Sequence, residues 1–208
     1  MIERKCPSCG AMVPFRTSIM LLAVCPFCRS LVLRKDLDIE KLGESAQLQP
    51  DGTPIQVGAS GVYRGASFQI VGRVQLKTPY GFWNEWSLLF NDGRQGWLGE
   101  AQGTYAVSFK LDAAAPARDK LAIGQELSLG KMIYEVREIV TADYLAAEGE
   151  LPFRPPLGES APSADLIAED GFFATIDYSE EPPVVFAGEY QNFDALKLTG
   201  LKVIEGWA

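Results

Sequence analysis

Histidine is absent from all 208 residues. That removes the commonest general base, the Ser-His and Cys-His nucleophile pairs, and every His-containing metal site. Long apolar runs are also missing. The longest, Ile19 to Val24, stops at Cys25 and is far short of the ~20 residues that span a bilayer. The opening residues MIERKCPSCG have no apolar core of a signal peptide, so the expectation is a cytoplasmic protein without a transmembrane segment. No P-loop, no G-x-G-x-x-G fingerprint and no G-x-S-x-G elbow occurs. These absences lower the case for catalysis, and a non-enzymatic role is the expectation.

Cysteine is scarce too, but its four copies are concentrated in the first thirty residues. Cys6-Pro7-Ser8-Cys9 and Cys25-Pro26-Phe27-Cys28 form C-x2-C-x15-C-x2-C. Two residues between thiolates let one tight turn present both sulfurs to one metal, and this spacing is that of a structural zinc ribbon. Cys6, Cys9, Cys25 and Cys28 are therefore the expected metal ligands, and structural Zn2+ the expected cofactor. Gly10 suits the positive φ that ends the first turn, whereas Arg29 follows the second pair, which predicts a less regular second knuckle. Met12 to Arg16 and Ile19 to Val24 read as a short hairpin, with Leu31 to Leu33 as a third strand.

Charge divides the chain. Residues 1–35 hold six Lys/Arg against one acid, while residues 36–208 hold 13 Lys/Arg against 26 Asp/Glu. An acidic body repels phosphates, so nucleic acid is not an expected partner. The basic segment suits docking on an acidic protein or an anionic surface.

The organisation expected is a zinc ribbon at 1–34, a linker at 35–54, and an all-β domain at 55–208. Asp36 to Leu42 reads as a short helix capped by Asp36, and Ala142 to Ala147 as a helical turn. Residues 149–165 read as a surface loop. From Ile55 onward, β-branched and aromatic runs alternate with Gly and Asn/Asp-Gly turns, above all Asn91-Asp92-Gly93-Arg94. Landmarks recur in order. Val57-Gly58 and Phe68 to Val71 parallel Ile123-Gly124 and Tyr134 to Val136. Trp86 to Phe90 with Trp97 to Gln102 parallel Ala174 to Tyr178 with Phe186 to Gln191. This predicts pseudo-repeats over about 55–110 and 121–204, built into an antiparallel β-sandwich or partly open barrel. Trp86 and Trp97 are expected to be cross-strand core partners. Glu85, Asp92, Glu100, Glu148, Glu150 and Glu189 are read as turn-capping or solvated carboxylates; a pair of them could do acid-base chemistry or bind a hard cation, but sequence spacing nominates none.

Gly72-Arg73-Val74-Gln75, Trp83-Asn84-Glu85-Trp86, Gly96-Trp97-Leu98 and Glu148-Gly149-Glu150-Leu151-Pro152 resemble the bacterial domain-of-unknown-function family 4178, over roughly residues 55–200. The resemblance brings no catalytic residues. It implies a cytoplasmic accessory protein, encoded beside band-7 or channel-like membrane proteins and polyamine-synthesis enzymes. The leading expectation is an adaptor with a protein partner, peripheral at the membrane through that partner. The alternative is a small-molecule sensor or enzyme, linked to polyamine metabolism, whose pocket lies between the β halves.

Overall fold

The computed structural model describes residues 2–35 and 38–204. Among them every long element is a β-strand, all pairings are antiparallel, and helical geometry is confined to short 3-10 turns. The N-terminal unit wraps its two cysteine turns in two hairpins. β1 (Ile2–Lys5) pairs with β2 (Met12–Phe15), and β3 (Leu22–Val24) with β4 (Ser30–Lys35). The expected hairpin between β2 and β3 does not form, because each C-x2-C turn reverses the chain and pairs the strands that flank it.

The predicted helix at 36–42 is also corrected. β5 (Asp38–Glu44) is a strand on the free edge of β4, with a register shift opposite Leu31/Val32. Seven residues are too few for a stable isolated helix, and an open strand edge supplies the backbone partners instead. The proposed cap, Asp36, lies outside the described residues.

The main body is built from β6 (Ser60–Tyr63), β7 (Ala66–Thr78), β8 (Gly81–Phe90), β9 (Gln95–Ala101), β10 (Thr104–Leu111), β11 (Glu126–Leu129), β12 (Met132–Leu151), β13 (Ser160–Ile167), β14 (Phe172–Asp177) and β15 (Val184–Gln191). The order β7-β8-β9-β10-β15-β14-β13-β12 returns to β7, so eight strands close into a ring. The closing seam runs from Lys77 opposite Asp143 to Gly72 opposite Gly149. β12 is continuous through Ala142 to Ala147, where a helical turn was expected, and β13 occupies the end of the expected 149–165 loop.

Strand alternation gives the ring two faces, and both are largely buried. Outward residues Phe68, Ile70, Trp86, Leu88 and Leu98 form a core covered by Ile55, Ala59 and Leu196. On the opposite half, Val136, Leu166, Ala174 and Ile176 form a second outer core with β11 residue Leu129. A turn precedes each half in the same form. Gly58 N donates to Ile70 O at 2.8 Å and Ile70 N to Ala59 O at 2.8 Å, while Gly124 N donates to Val136 O at 2.8 Å and Val136 N to Gln125 O at 2.9 Å. With β6-β7 set on β11-β12, chain order sets β8, β9 and β10 on β13, β14 and β15. The sequence landmarks that equated β8 and β9 with β14 and β15 are therefore one strand out of step.

Candidate functional site

Two places combine chemistry-bearing side chains. The first is the cysteine cluster. Gly10 N donates to Cys6 O at 2.9 Å and Cys6 N to Ala11 O at 2.7 Å; Arg29 N to Cys25 O and Cys25 N to Ser30 O, both 2.9 Å, repeat the pattern. The second knuckle is thus as regular as the first. Arg29 itself adopts φ +60°, where Gly10 has +77°, and its guanidinium donates to Ser45 O at 2.6 Å. All four Sγ atoms lie within 4.8 Å of one another. Two pairs that join different knuckles, Cys6–Cys28 and Cys9–Cys25, measure 3.6 and 3.7 Å. A disulfide needs about 2.05 Å. Four sulfurs at ~2.3 Å from a tetrahedral ion sit about 3.8 Å apart, so the donor set fits one metal ion of that geometry. Hydrogen bonding by the Ser30 side chain and backbone lowers the Cys28 thiol to about 6. Four thiolates this close repel one another unless a cation lies between them.

The ribbon is fastened to the ring rather than tethered to it. β3 pairs with the end of β12 at Ala23–Glu150 and Leu22–Leu151, and Leu21 N donates to Leu151 O at 3.0 Å. Glu150, almost fully buried, accepts from the Arg16 backbone N–H at 2.5 Å and from its guanidinium. Arg29, Arg34 and Lys35 also bond within the chain. Of these basic groups Arg16 and Lys35 meet carboxylates, while Arg29 and Arg34 bond to backbone carbonyl oxygens and keep their net charge.

The second place is the interior of the ring, a cavity of about 480 Å³ to which every ring strand contributes. Its wall carries Trp83, Trp97, Tyr144, Phe153, Phe173 and Phe186. Trp86 and Trp97, expected as partners, face opposite ways. Trp97 stands opposite Ser87 and looks inward, its ring 5.7 Å from Phe153, while Trp86 stands opposite Leu98 in the outer core. The W-x-E-W stretch divides by strand alternation, with Trp83 and Glu85 in the cavity and Asn84 and Trp86 outside. Ile19 and Leu21 of the ribbon, with Pro152 and Phe153 after β12, line one side.

Acidic groups face this space. Glu85 accepts from Trp83 Nε1 at 3.0 Å and is surrounded by protein while still touching the cavity. Burial, and then the charges of Asp165 and Asp177, push it up to about 7. Asp165, which accepts from Thr175 Oγ1 at 2.7 Å, and Asp177 are raised by burial as well. Glu85 is therefore neither turn-capping nor freely solvated. Asp177, Tyr144 and Phe186 were missed, and inward-outward alternation on β12, β14 and β15 would have found them once ring closure was known.

The remaining sequence candidates lie elsewhere. Glu100 is buried in the outer wall, accepting from Trp86 Nε1 at 2.9 Å and Asn84 Nδ2 at 3.1 Å. Beside it, the buried Arg73 guanidinium lies 4.7 Å from the Trp86 ring, donates to Asn84 Oδ1 and pairs with Asp51. Glu148 stands 3.6 Å from Arg73. Glu189 pairs with Arg64 at 2.5 Å, and Asp92 holds Arg94 at 2.8 Å in the hairpin turn. These four carboxylates, with Glu150, hold structure together.

The fold and site thus define a closed antiparallel β-ring with an acidic, aromatic interior and a four-cysteine unit seated at one side. The chain belongs to the family described as Domain of unknown function (DUF4178), which matches residues 56–193. No curated protein and no solved structure matches it.

Proposed function

We propose that this protein is a small-molecule-binding barrel whose ligand sits inside the β-ring, and whose cysteine cluster is a structural Zn2+ centre that holds the ribbon against one side of the cavity. The observation that carries this reading is the ~480 Å³ interior, within the usual range for ligand pockets and lined by aromatics with a few polar groups. Eight-stranded barrels have room for side chains or for one small ligand, and here glycine and alanine at Gly99, Ala106, Ala142 and Ala161 leave the space open. Cys6, Cys9, Cys25 and Cys28 would hold the ion, which would supply the folding energy that four short strands lack. Residues 1–34 would be the ribbon and 55–208 a β domain descended from two copies of one unit, with the recurrent Gly58 and Gly124 turns in support.

The test uses the neutral fluorophore N-phenyl-1-naphthylamine with the full metal-loaded chain. Its emission should rise on binding and fall to background in Ala106→Phe, which fills the cavity, while the melting transition is retained. Undiminished emission in Ala106→Phe would remove the cavity as the binding place.

A second reading, the adaptor, has one observation in its favour. Phe27 at the tip of the second knuckle is 75% exposed. Because β3 is hydrogen-bonded into the ring, deleting residues 1–34 would damage the barrel, so Phe27→Ser is the cleaner variant. Its loss of a stoichiometric partner in a native pull-down would support the adaptor, and an unchanged partner would count against docking through this knuckle.

A further inference from the structure

Among the described residues, no basic side chain is paired with the carboxylates inside the cavity. Glu85 and Asp177 line it, and Asp165 lies close enough that its charge acts on Glu85. No Lys or Arg is among the groups whose charge acts on these three carboxylates, and among the described residues none of them is in a salt bridge. Lys110 is the basic residue on the wall; its side chain is exposed and its charge is not among those that act on these three carboxylates, while Glu180 adds a further acid to the lining. A buried carboxylate without a cationic partner is costly, and it either keeps a proton or waits for a charge from outside. A bare metal ion is not the species that fits. Among the described residues the four cysteines are the one group whose ligand atoms converge on an ion-sized point. Charges that are spread out, and set among aromatic faces that attract cations, suit an extended organic cation.

We infer that the cavity of this protein takes an organic ammonium ion, its charged end against Glu85 and Asp177 and its apolar body against Trp83, Trp97 and Phe186. This rests on the ligand-binding reading above and specifies the ligand class. The cation replaces the proton that burial otherwise keeps on Glu85, so binding strengthens as pH rises from 6 to 8. The groups that face Glu85 from its own and the packed strands are Trp83, Asp165, Asp177 and Tyr144. Of these only the carboxylates exchange protons in the acid-to-neutral range, and their release acts in the same direction as that of Glu85.

Calorimetry of the full metal-loaded chain with three probes of one shape tests this: 2-phenylethylammonium, 2-phenylethanol and 3-phenylpropionate. The ammonium should bind at least tenfold more tightly than the alcohol at pH 8, with the carboxylate weakest. Glu85→Gln should cut ammonium affinity tenfold or more and leave the alcohol unchanged. Equal or tighter binding of the alcohol would overturn the cation assignment while leaving a cavity ligand in place. So would failure of all three probes alongside retained N-phenyl-1-naphthylamine binding. Failure of the naphthylamine as well would remove the cavity reading itself.

Discussion

Glu85 is half-buried on the cavity wall and Glu150 almost fully buried, and the surroundings give the two carboxylates opposite roles. Glu150 meets a guanidinium and a backbone N–H, so its charge is compensated. Removing one partner of such a pair leaves the other exposed to the interior without compensation, and we expect Glu150→Ala to cost about 3 kcal/mol in chemical denaturation. Among the described residues Glu85 has no salt-bridge partner, and burial raises it from 4.5 to about 7. Between those values the folded chain binds more protons than the unfolded one, so this group's contribution to stability is full in acid and is lost as pH rises through about 7. At ~1.4 kcal/mol per pKa unit the effect amounts to a few kcal/mol at most. Glu85→Gln should therefore be more stable than the native protein at pH 8 and show less difference at pH 4.5, with the residual slope set by Asp165 and Asp177. Denaturation midpoints at the two pH values check this. The sequence nominated no partner for either carboxylate, because a carboxylate's environment is made by strands distant in the chain.

The elements that matter most are the ones that join distant parts. At the ring's closing seam, a Cβ on Gly72 would lie 2.1 Å from Glu150 O, and one on Gly149 would lie 2.3 Å from Val71 O. Backbone cannot yield to such contacts without breaking the pairing, so Gly72→Ala should lower stability by about 3 kcal/mol or more, measured by thermal melting, and should lower naphthylamine emission. β7 is bulged at Gly72, with the register shift between Ile70 and Gly72, and the purpose of the bulge becomes visible only with β12 beside it. The E-G-E-L-P stretch has the same character. Glu148 stands by Arg73, Gly149 admits β7, Glu150 holds the ribbon, Leu151 is buried and Pro152 reaches the cavity. The two cysteine knuckles were legible as elements, since their hydrogen bonds are local. Metal analysis should find about one equivalent of zinc, and chelation should speed amide exchange at Leu21, Ala23 and Cys25 before the ring strands.

At the scale of the whole molecule, β3, β4 and β5 continue the ring's hydrogen-bonded sheet through β12, while β1 and β2 pair with each other. Ile19 and Leu21 bring the ribbon's apolar residues to the cavity. Loss of the metal should therefore be felt inside the ring. Chelated protein should hold N-phenyl-1-naphthylamine with a faster off-rate than the metal-loaded form while its far-ultraviolet β signal changes little, a comparison that stopped-flow fluorescence makes directly. Identical off-rates would separate the ribbon from the cavity's function.

By itself, the sequence determined what depends on neighbours in the chain: the cysteine turns, the all-β character, the Asn-Asp-Gly hairpin between β8 and β9, and the absence of any histidine chemistry. Only the tertiary structure decided which face of each strand is interior. Alternation labels two faces, but in this ring both are buried, one against β6, β11 and their flanking segments and the other around the cavity. Pairings between strands far apart in the chain, β10 with β15 and β7 with β12, turn an open sheet into a closed one. That closure places Trp97 and Glu85 within while Trp86 and Glu100 remain in the wall.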